Sequence, residues 1–457
     1  MGGLNGILDV AKRALTAQRV GIDVTGHNIA NASTPGYTRE KLTLTPTPPV
    51  NEGFGYVGTG VEAQSVTRIR ESFIDQQIWN TNPSLSKSTE QQDVLGQIES
   101  TFNEPSDSGL GSMINSFFSS FQNLSLHPED SSYRNTVVQD ATTMSAGFHQ
   151  LCSSLDQLKS DLVLDAQSKV DQINSLVKEI HDDGKQITAM EAGGLDANDM
   201  RDARDSKIED LSKLANIKVS DDGQGGTLIT LGNFFIESKA GYSQLQAGLS
   251  GSDLQITVQG TSSAIDVSSG ELGGIVENHN TLIPGYQSKL DDLASTMITT
   301  MNGIHSTGYG LGTPPPTGNN LLAGTDARSI NINPAISGDL NLLAASSDGS
   351  PGNNSVALAL SNVSSQELMN GNSTSIPQYY SNLVSDIGAT VQSAKNTATS
   401  QNLVLQQLTN QREGISGVSI DEEMIQLLKF QNGYGAAAKL VTTANQMYQA
   451  LIAMVGS

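Results

Sequence analysis

Six histidines, one cysteine and a few paired acids are the side chains of this 457-residue chain best suited to chemistry. His27, His127, His149, His181, His279 and His305 stand far apart, and none falls in an HExxH or comparable metal-binding spacing. Asp221-Asp222-Gly223 lacks the alternating acids of a calcium loop and reads as a hairpin turn. Asp182-Asp183 reads as a solvated helix face. There is no Walker A string, no GxSxG and no glycine-rich turn set between a strand and a helix. The single Cys152 permits neither an internal disulfide nor a cysteine-based zinc site, and beside Leu151 it reads as a packing residue. The sequence thus offers no catalytic, cofactor or metal site. Its function has to reside in the surfaces its elements present.

Net charge bounds those surfaces. With 25 Lys and Arg against 47 Asp and Glu the chain carries −22, which repels nucleic acid and anionic membranes alike. No apolar run reaches the ~18 residues of a membrane span. Asp9, Lys12, Arg13 and Arg19 interrupt the N-terminal apolar positions, so no secretory h-region forms and the expectation is a chain that is cytosolic or exported by a route that leaves the N-terminus intact. Hydrophobic residues make up 37% and aromatics 5%, with Trp79 the one tryptophan. Such a composition suits long helical domains that bury a narrow stripe.

Both chain ends carry that stripe. Leu4, Leu8, Ala11, Leu15, Gln18, Ile22, Thr25 and Ile29 alternate by four and three, an a/d seam over residues 4–31. Gly21 and Gly26 weaken it by about 1 kcal/mol each. At the other end Ile420, Leu427, Tyr434, Val441, Tyr448 and Val455 recur every seven residues, with Phe430, Ala437, Ala444 and Leu451 three later. Between the ends, extended segments are expected at 37–45 and 56–67, and helices at 68–103, 110–124 and 197–216. A long heptad helix of roughly 55 residues, ~80 Å, starts near Met144. Short β-rich runs (Thr227–Leu231, Phe234–Glu237, Leu254–Val258) fill 217–268, and helix resumes at 272–305. Residues 306–353, with Pro314-Pro315-Pro316, read as an irregular surface excursion. A last seam runs from Tyr380 to Leu408.

The expected fold is mainly α with a β insertion. Both chain ends form a long antiparallel coiled-coil and helical-bundle hairpin around a small β-rich middle domain. The domain expectation is a terminal coil of 1–40 and 418–457, an elongated helical domain of 41–216 and 272–417, and a β subdomain of 217–271 at the tip.

One string is more specific than any periodicity. In Ala30-Asn31-Ala32-Ser33-Thr34-Pro35-Gly36-Tyr37, Pro35-Gly36 suits the central positions of a type II turn that ends the helix. Placed just after an N-terminal heptad helix, the string resembles the signature of the bacterial flagellar axial proteins (rod, hook and hook-associated), carried here by Ala30, Asn31, Thr34, Pro35, Gly36 and Tyr37. Gly417 to Glu423, then Gln431, Tyr434, Ala436 to Lys439 and Thr443 to Asn445, resembles the matching C-terminal end. Residues 201–246 and 329–360 are similar to the hook-associated branch that joins hook to filament, although Asn353 stands where that branch often carries Asp.

The resemblance implies a non-enzymatic flagellar subunit, outside the cell, that self-assembles through its terminal seams. It implies hook protein and the next junction protein as partners, export through the flagellar type III apparatus, and a cytosolic export chaperone on the C-terminal helix. Rival readings are a hook or distal-rod subunit, an adhesin-like β tip on axial-type ends, and a hydrolase that would need a catalytic cluster in 217–353. Because each end helix is short of partners alone, limited proteolysis of the monomer is expected to trim roughly residues 1–35 and 420–457 first. Equal protection of ends and centre would exclude that reading.

Overall fold

The computed structural model describes residues 4–455 except 52, 54, 103–105, 107, 195 and 222–225, and the side chains of Leu4 and Val455 are also outside it. Two residues of the 221–223 turn therefore lie outside the described residues. The helices are α1 (Leu4–Asn31), α2 (Ser72–Phe102), α3 (Leu110–Leu126), α4 (Ser131–Glu191), α5 (Asn198–Leu214), α6 (Gly270–Glu277), α7 (Ile283–His305), α8 (Pro334–Gly338), α9 (Ser355–Asn362), α10 (Ile376–Ser416) and α11 (Ile420–Val455). A π turn at Asn278–Leu282 joins α6 to α7.

The end helices α1 and α11 pack on each other, and α2 packs on α10 just inside them. A ribbon of β1 (Glu40–Pro46) and β4 (Val61–Arg68), antiparallel, folds back along α1. Gly60 reaches the backbone of Val10 at the ribbon's far end, where an ideal Cβ would lie 3.4 Å from its Cα. The tip of the ribbon is a short hairpin of β2 (Val50–Asn51) and β3 (Tyr56–Val57).

α4 is the spine. Its 61 residues span about 90 Å. Asp130 caps its start by accepting from Ser132 N at 2.7 Å. The buried stripe starts a turn or two before Met144: Val137, Ala141, Met144, Phe148, Leu151, Leu155, Leu158 and Leu162 are followed by Ala166, Val170, Ile173, Val177, Ile180 and Ile187. The steps of four from Leu158 through Leu162 and Ala166 to Val170 insert a stutter, which locally unwinds a heptad seam. The seam therefore departs from strict heptads beyond Leu162. Cys152 is buried beside this stripe, and burial pushes its thiol up to about 11, so it stays protonated.

The β subdomain is a four-stranded antiparallel sheet, β5 (Ile217–Asp221), β6 (Thr227–Leu231), β7 (Phe234–Ser238) and β8 (Gly241–Tyr242), beside a hairpin of β9 (Leu245–Ser250) and β10 (Asp253–Val258). It is not the tip. Asn174 of α4 exchanges two hydrogen bonds with the Leu245 backbone (2.9 and 2.7 Å), and His181 meets the buried Glu237 at 3.3 Å. These contacts lay the sheet along the flank of the C-terminal half of α4. The far end is built instead from α3, the start of α4, α9 and residues 306–353.

That irregular segment is no surface excursion. Leu321, Leu322, Ile330, Ile332, Ile336, Leu343 and Ala345 are buried. Periodicity cannot announce such a segment, because polar anchors hold it rather than a helix face. Asn302 pairs with both backbone groups of Leu322 at 2.9 Å. The buried Arg134 donates to the carbonyls of Pro128 (2.6 Å), Leu340 (3.2 Å) and Leu343 (2.5 Å), and burial lowers its guanidinium to about 10. His305 accepts from Ala344 N through Nε2 at 2.8 Å, which leaves Nδ1 to donate to Asn319 O at 2.7 Å. Both ring nitrogens are thus used by a neutral imidazole.

Burial lowers His305 to about 4. A depressed pKa stabilises the fold above the unfolded value, ~6.5, and that stability is lost as pH falls toward about 4, at roughly 1.4 kcal/mol per pH unit. Denaturant melts of the wild type and His305→Asn should therefore converge as pH drops from about 6.5 to 4. A gap between them that does not change with pH would refute the neutral clamp. Arg134→Ala, which orphans several buried carbonyls, is expected to cost about 3 kcal/mol or more.

Candidate functional site

The two ends meet the body at one joint. α1 stops at Asn31, and Tyr37 N donates to Thr34 O at 3.2 Å around Pro35 and Gly36, with Gly36 at φ +79°. This is the type II turn, whose third position takes glycine because a Cβ is strained there. Asn31 Nδ2 donates to the His27 carbonyl and Thr34 Oγ1 to Asn31 Oδ1, each at 3.2 Å. Ala30, Thr34, Pro35 and Gly36 are exposed, whereas Tyr37 turns back over α1.

What the turn delivers is a polar knot. The Tyr37 hydroxyl donates to Asn28 Oδ1 at 2.8 Å, and its ring stands edge-on to His27 at 5.5 Å. Asn28 exchanges hydrogen bonds with the backbone of Glu40, at 2.9 Å each way. Its Nδ2 also donates to Glu423 Oε2 at 3.0 Å, and Arg39 Nε donates to Glu423 Oε1 at 2.7 Å. The Glu423 side chain is only 3% exposed. Burial, then Glu40 and Asp199, push the Tyr37 hydroxyl far above the usual tyrosine range, so it remains a neutral donor.

A second layer ties this knot to the body. Thr38 N donates to Asp202 Oδ2 at 2.7 Å. Arg68 bridges Asp202 (2.5 Å) and Asp205 (3.0 Å), and Arg70 pairs with Asp75 and Asp205. Burial raises the Asp202 carboxyl against the pull of Arg68. Arg412 joins the end of α10 to Glu209 at 2.6 Å. His27, Glu40 and Asp199 place one donor atom each within 4.8 Å of one another, the one metal-compatible set among the described residues.

The pairing face between α1 and α11 is made of small residues. On α1 it runs Ala11, Ala14, Gln18, Gly21, Thr25, Asn28, and on α11 Glu423, Phe430, Gly433, Ala437, Ala444. A Cβ on Gly21 would lie 2.5 Å from the Phe430 ring, and one on Gly433 would lie 2.7 Å from the Gln18 amide. Gly21 is therefore the socket for Phe430 rather than a weakness in the helix. Leu8, Leu15, Ile22 and Ile29 are half-buried along the edge of this face, as are Leu427 and Val441 on α11. Ile420, Tyr434, Tyr448 and Leu451 are exposed. Asn28, Arg39 and Glu423 carry the joint, yet in the sequence Glu423 stands out only as part of the Gly417–Glu423 stretch, and Asn28 and Arg39 do not stand out at all. The available signal was the three–four spacing of small and polar residues from Ala11 to Asn28, parallel to the larger apolar one.

A chain whose two ends close into a close-packed coil, locked by polar contacts onto an elongated helical body, has the build of a structural subunit of an axial assembly. Family models agree: "Flagella basal body rod protein" matches residues 8–38, "Flagellar hook-associated protein FlgK helical domain" 95–322, and "Flagellar basal body rod FlgEFG protein C-terminal" 412–454. Flagellar hook-associated protein 1 of Bacillus subtilis is 30% identical over 98% of both chains, and the Escherichia coli protein of that name is 24% identical over 98% of this chain and 100% of its own. The solved flagellar hook junction protein FlgK from Burkholderia pseudomallei shares the fold, with a TM-score of 0.66 and 15% identity over 75% of this chain and all of its own. The chain belongs to the flagellar hook-associated protein 1 family.

Removing the buried acceptor should free the ends without unfolding the body. Glu423→Ala leaves Arg39 only the exposed Glu422 and removes the acceptor that ties Asn28 to α11, and is expected to cost about 1–3 kcal/mol at the joint. Hydrogen exchange should accelerate in α1 and α11 while α4 stays protected, and uniform acceleration would show that the joint is not a separate unit. Gly21→Ala, which displaces the Phe430 ring, should loosen the same two helices by about 1–3 kcal/mol.

Proposed function

We propose that the chain is a non-enzymatic structural subunit of the bacterial flagellum that joins hook to filament, and that α11 supplies its main assembly surface. One observation carries the second part. α11 buries only its small-residue side against α1, while Met424, Ile425, Leu428, Leu440, Met447, Ile452 and Met454 stand in solvent with Ile420, Tyr434, Tyr448 and Leu451. On a chain of net charge −22, that much exposed apolar surface, spread around the helix and along its outer end, is a docking surface. Neighbouring copies and other axial proteins are the occupants, hook protein on one side and the next junction protein on the other.

Several further points rest on the resemblance together with this face. An exposed stripe invites aggregation before assembly, which gives a cytosolic export chaperone on α11 a physical task. Export through the flagellar type III apparatus would deliver the chain outside the cell. No described helix is long and apolar enough to cross a membrane. A hook or rod identity fits less well, because the rod-type matches are confined to the ends and the hook-associated helical domain spans 95–322.

Exposed and pairing positions on α11 should fail differently. Tyr448→Asp and Leu451→Asp are expected to leave the monomer melt within about 0.5 kcal/mol of wild type. They should nonetheless give cells with hooks and no filaments, since each removes about 1.5–3 kcal/mol per interface. Ala444→Asp, facing α1, should lower the protection of both end helices in the monomer itself. The exposed Gln449→Asp is the control. Normal filaments by electron microscopy in Tyr448→Asp and Leu451→Asp cells would refute α11 as the assembly surface.

A further inference from the structure

Around the joint, carboxylates are matched to arginines: Glu422 and Glu423 to Arg39, Asp202 and Asp205 to Arg68, Asp75 to Arg70, Glu209 to Arg412. Two are not. Glu40 and Asp199 have, among the described residues, ion-pair contact with His27 alone. Glu40 is the telling one. Its side chain is 10% exposed, and Asn198 holds Oε1 at 2.8 Å, which leaves Oε2 aimed at His27 Nδ1 at 3.5 Å. A carboxylate nine-tenths buried with no permanent counter-charge is costly unless a cation visits it.

The imidazole is placed to recruit one. Its Nδ1 faces the Glu40 carboxylate and the Tyr37 oxygen (3.3 Å), whose own proton goes to Asn28. Two oxygen acceptors on that side favour the tautomer with hydrogen on Nδ1. Nε2 then carries the lone pair and points toward Asp199 Oδ2 at 3.8 Å. A neutral histidine oriented by a carboxylate on one nitrogen and offering the other beside a second carboxylate is the arrangement that metal-binding histidines adopt. The three donors come from α1, β1 and α5, so no sequence spacing could display them.

We infer that His27 and Asp199, with Glu40 behind or beside them, form a binding site for a divalent transition-metal ion that pins the terminal coil to the helical body. One imidazole nitrogen with carboxylate oxygens suits zinc, nickel or manganese, water completing the shell. The ion would neutralise Glu40 and Asp199 together. It would also join α1 to α5 beside the Thr38–Asp202 contact, and so stiffen the angle at which the coil leaves the body.

Isothermal titration of the full chain with zinc and with nickel tests this, with magnesium and calcium as oxygen-preferring controls. One equivalent of zinc or nickel should bind, and His27→Gln should abolish it. Asp199→Asn and Glu40→Gln should weaken it by about 10–100-fold. Zinc should also slow hydrogen exchange at the end of α1 in the wild type and not in His27→Gln, a readout that a loosely adsorbed surface ion would not move. Three results would overturn the site: no binding, binding that survives His27→Gln, or a metal-independent stabilisation that appears only as pH falls below about 6.5 and requires His27. The last would identify the visiting cation as a proton.

Discussion

The antiparallel pairing of α1 with α11 depends on a buried carboxylate. Glu423 lies 395 residues from Asn28 in sequence, and joining such distant points in a free chain costs about 5 kcal/mol by loop-closure scaling alone. The body lowers that cost before the ends meet. Packing of α2 on α10 brings the chain leaving the ribbon beside the chain arriving at Ser416, and Arg39 N then bonds the Ser416 carbonyl at 2.9 Å. With those strands of chain already in register, Glu423 needs only to turn inward to find Arg39 and Asn28. The coil is thus conditional on the body, and its register is set at the joint end, from which it extends outward along small residues.

Small residues then decide how the apolar surface is shared. Gly21, Ala437 and Ala444 allow the two helices close approach, so the pairing face is narrow and consumes few large side chains. α1 is covered on one side by α11 and on another by the β1–β4 ribbon. α11 has a single covered side, and apart from Phe430, Leu427 and Val441 most of its large residues are exposed. A wide leucine seam between the two helices would have made a more stable monomer and left less for neighbours. The arrangement trades monomer stability for surface that only an assembly can bury.

Helix existence, order and approximate limits were legible because long amphipathic segments announce themselves by period, and the string ending at Tyr37 read correctly as a turn because Pro35-Gly36 has few alternatives. What escaped was non-periodic or non-local. The flank position of the β sheet depends on Asn174 and His181 of α4, side chains that look like ordinary polar helix residues. The burial of 306–353 rests on Arg134, Asn302 and His305 serving backbone groups far along the chain. Gly21 read as a flaw in an apolar seam because the pairing face shares only Ala11, Gln18 and Thr25 with that seam and departs from it through Ala14, Gly21 and Asn28.

A joint made of arginines and carboxylates is a particular physical choice. Paired charges that are partly or wholly buried contribute little net stability compared with apolar packing, yet they penalise misalignment heavily, since a shifted partner leaves a desolvated charge alone. Guanidinium–carboxylate contacts also fix direction, which a methyl-to-methyl contact does not. The body and the coil can therefore be individually modest in stability while the angle between them is closely held. Arg39, Arg68, Arg70 and Arg412 all act at this one place, on carboxylates from α2, α5 and α11. A subunit that must hand one helical geometry on to another gains from a defined angle at the root of its terminal coil more than from a larger core, and the polar knot at Asn28 and Glu423 is where that angle is set.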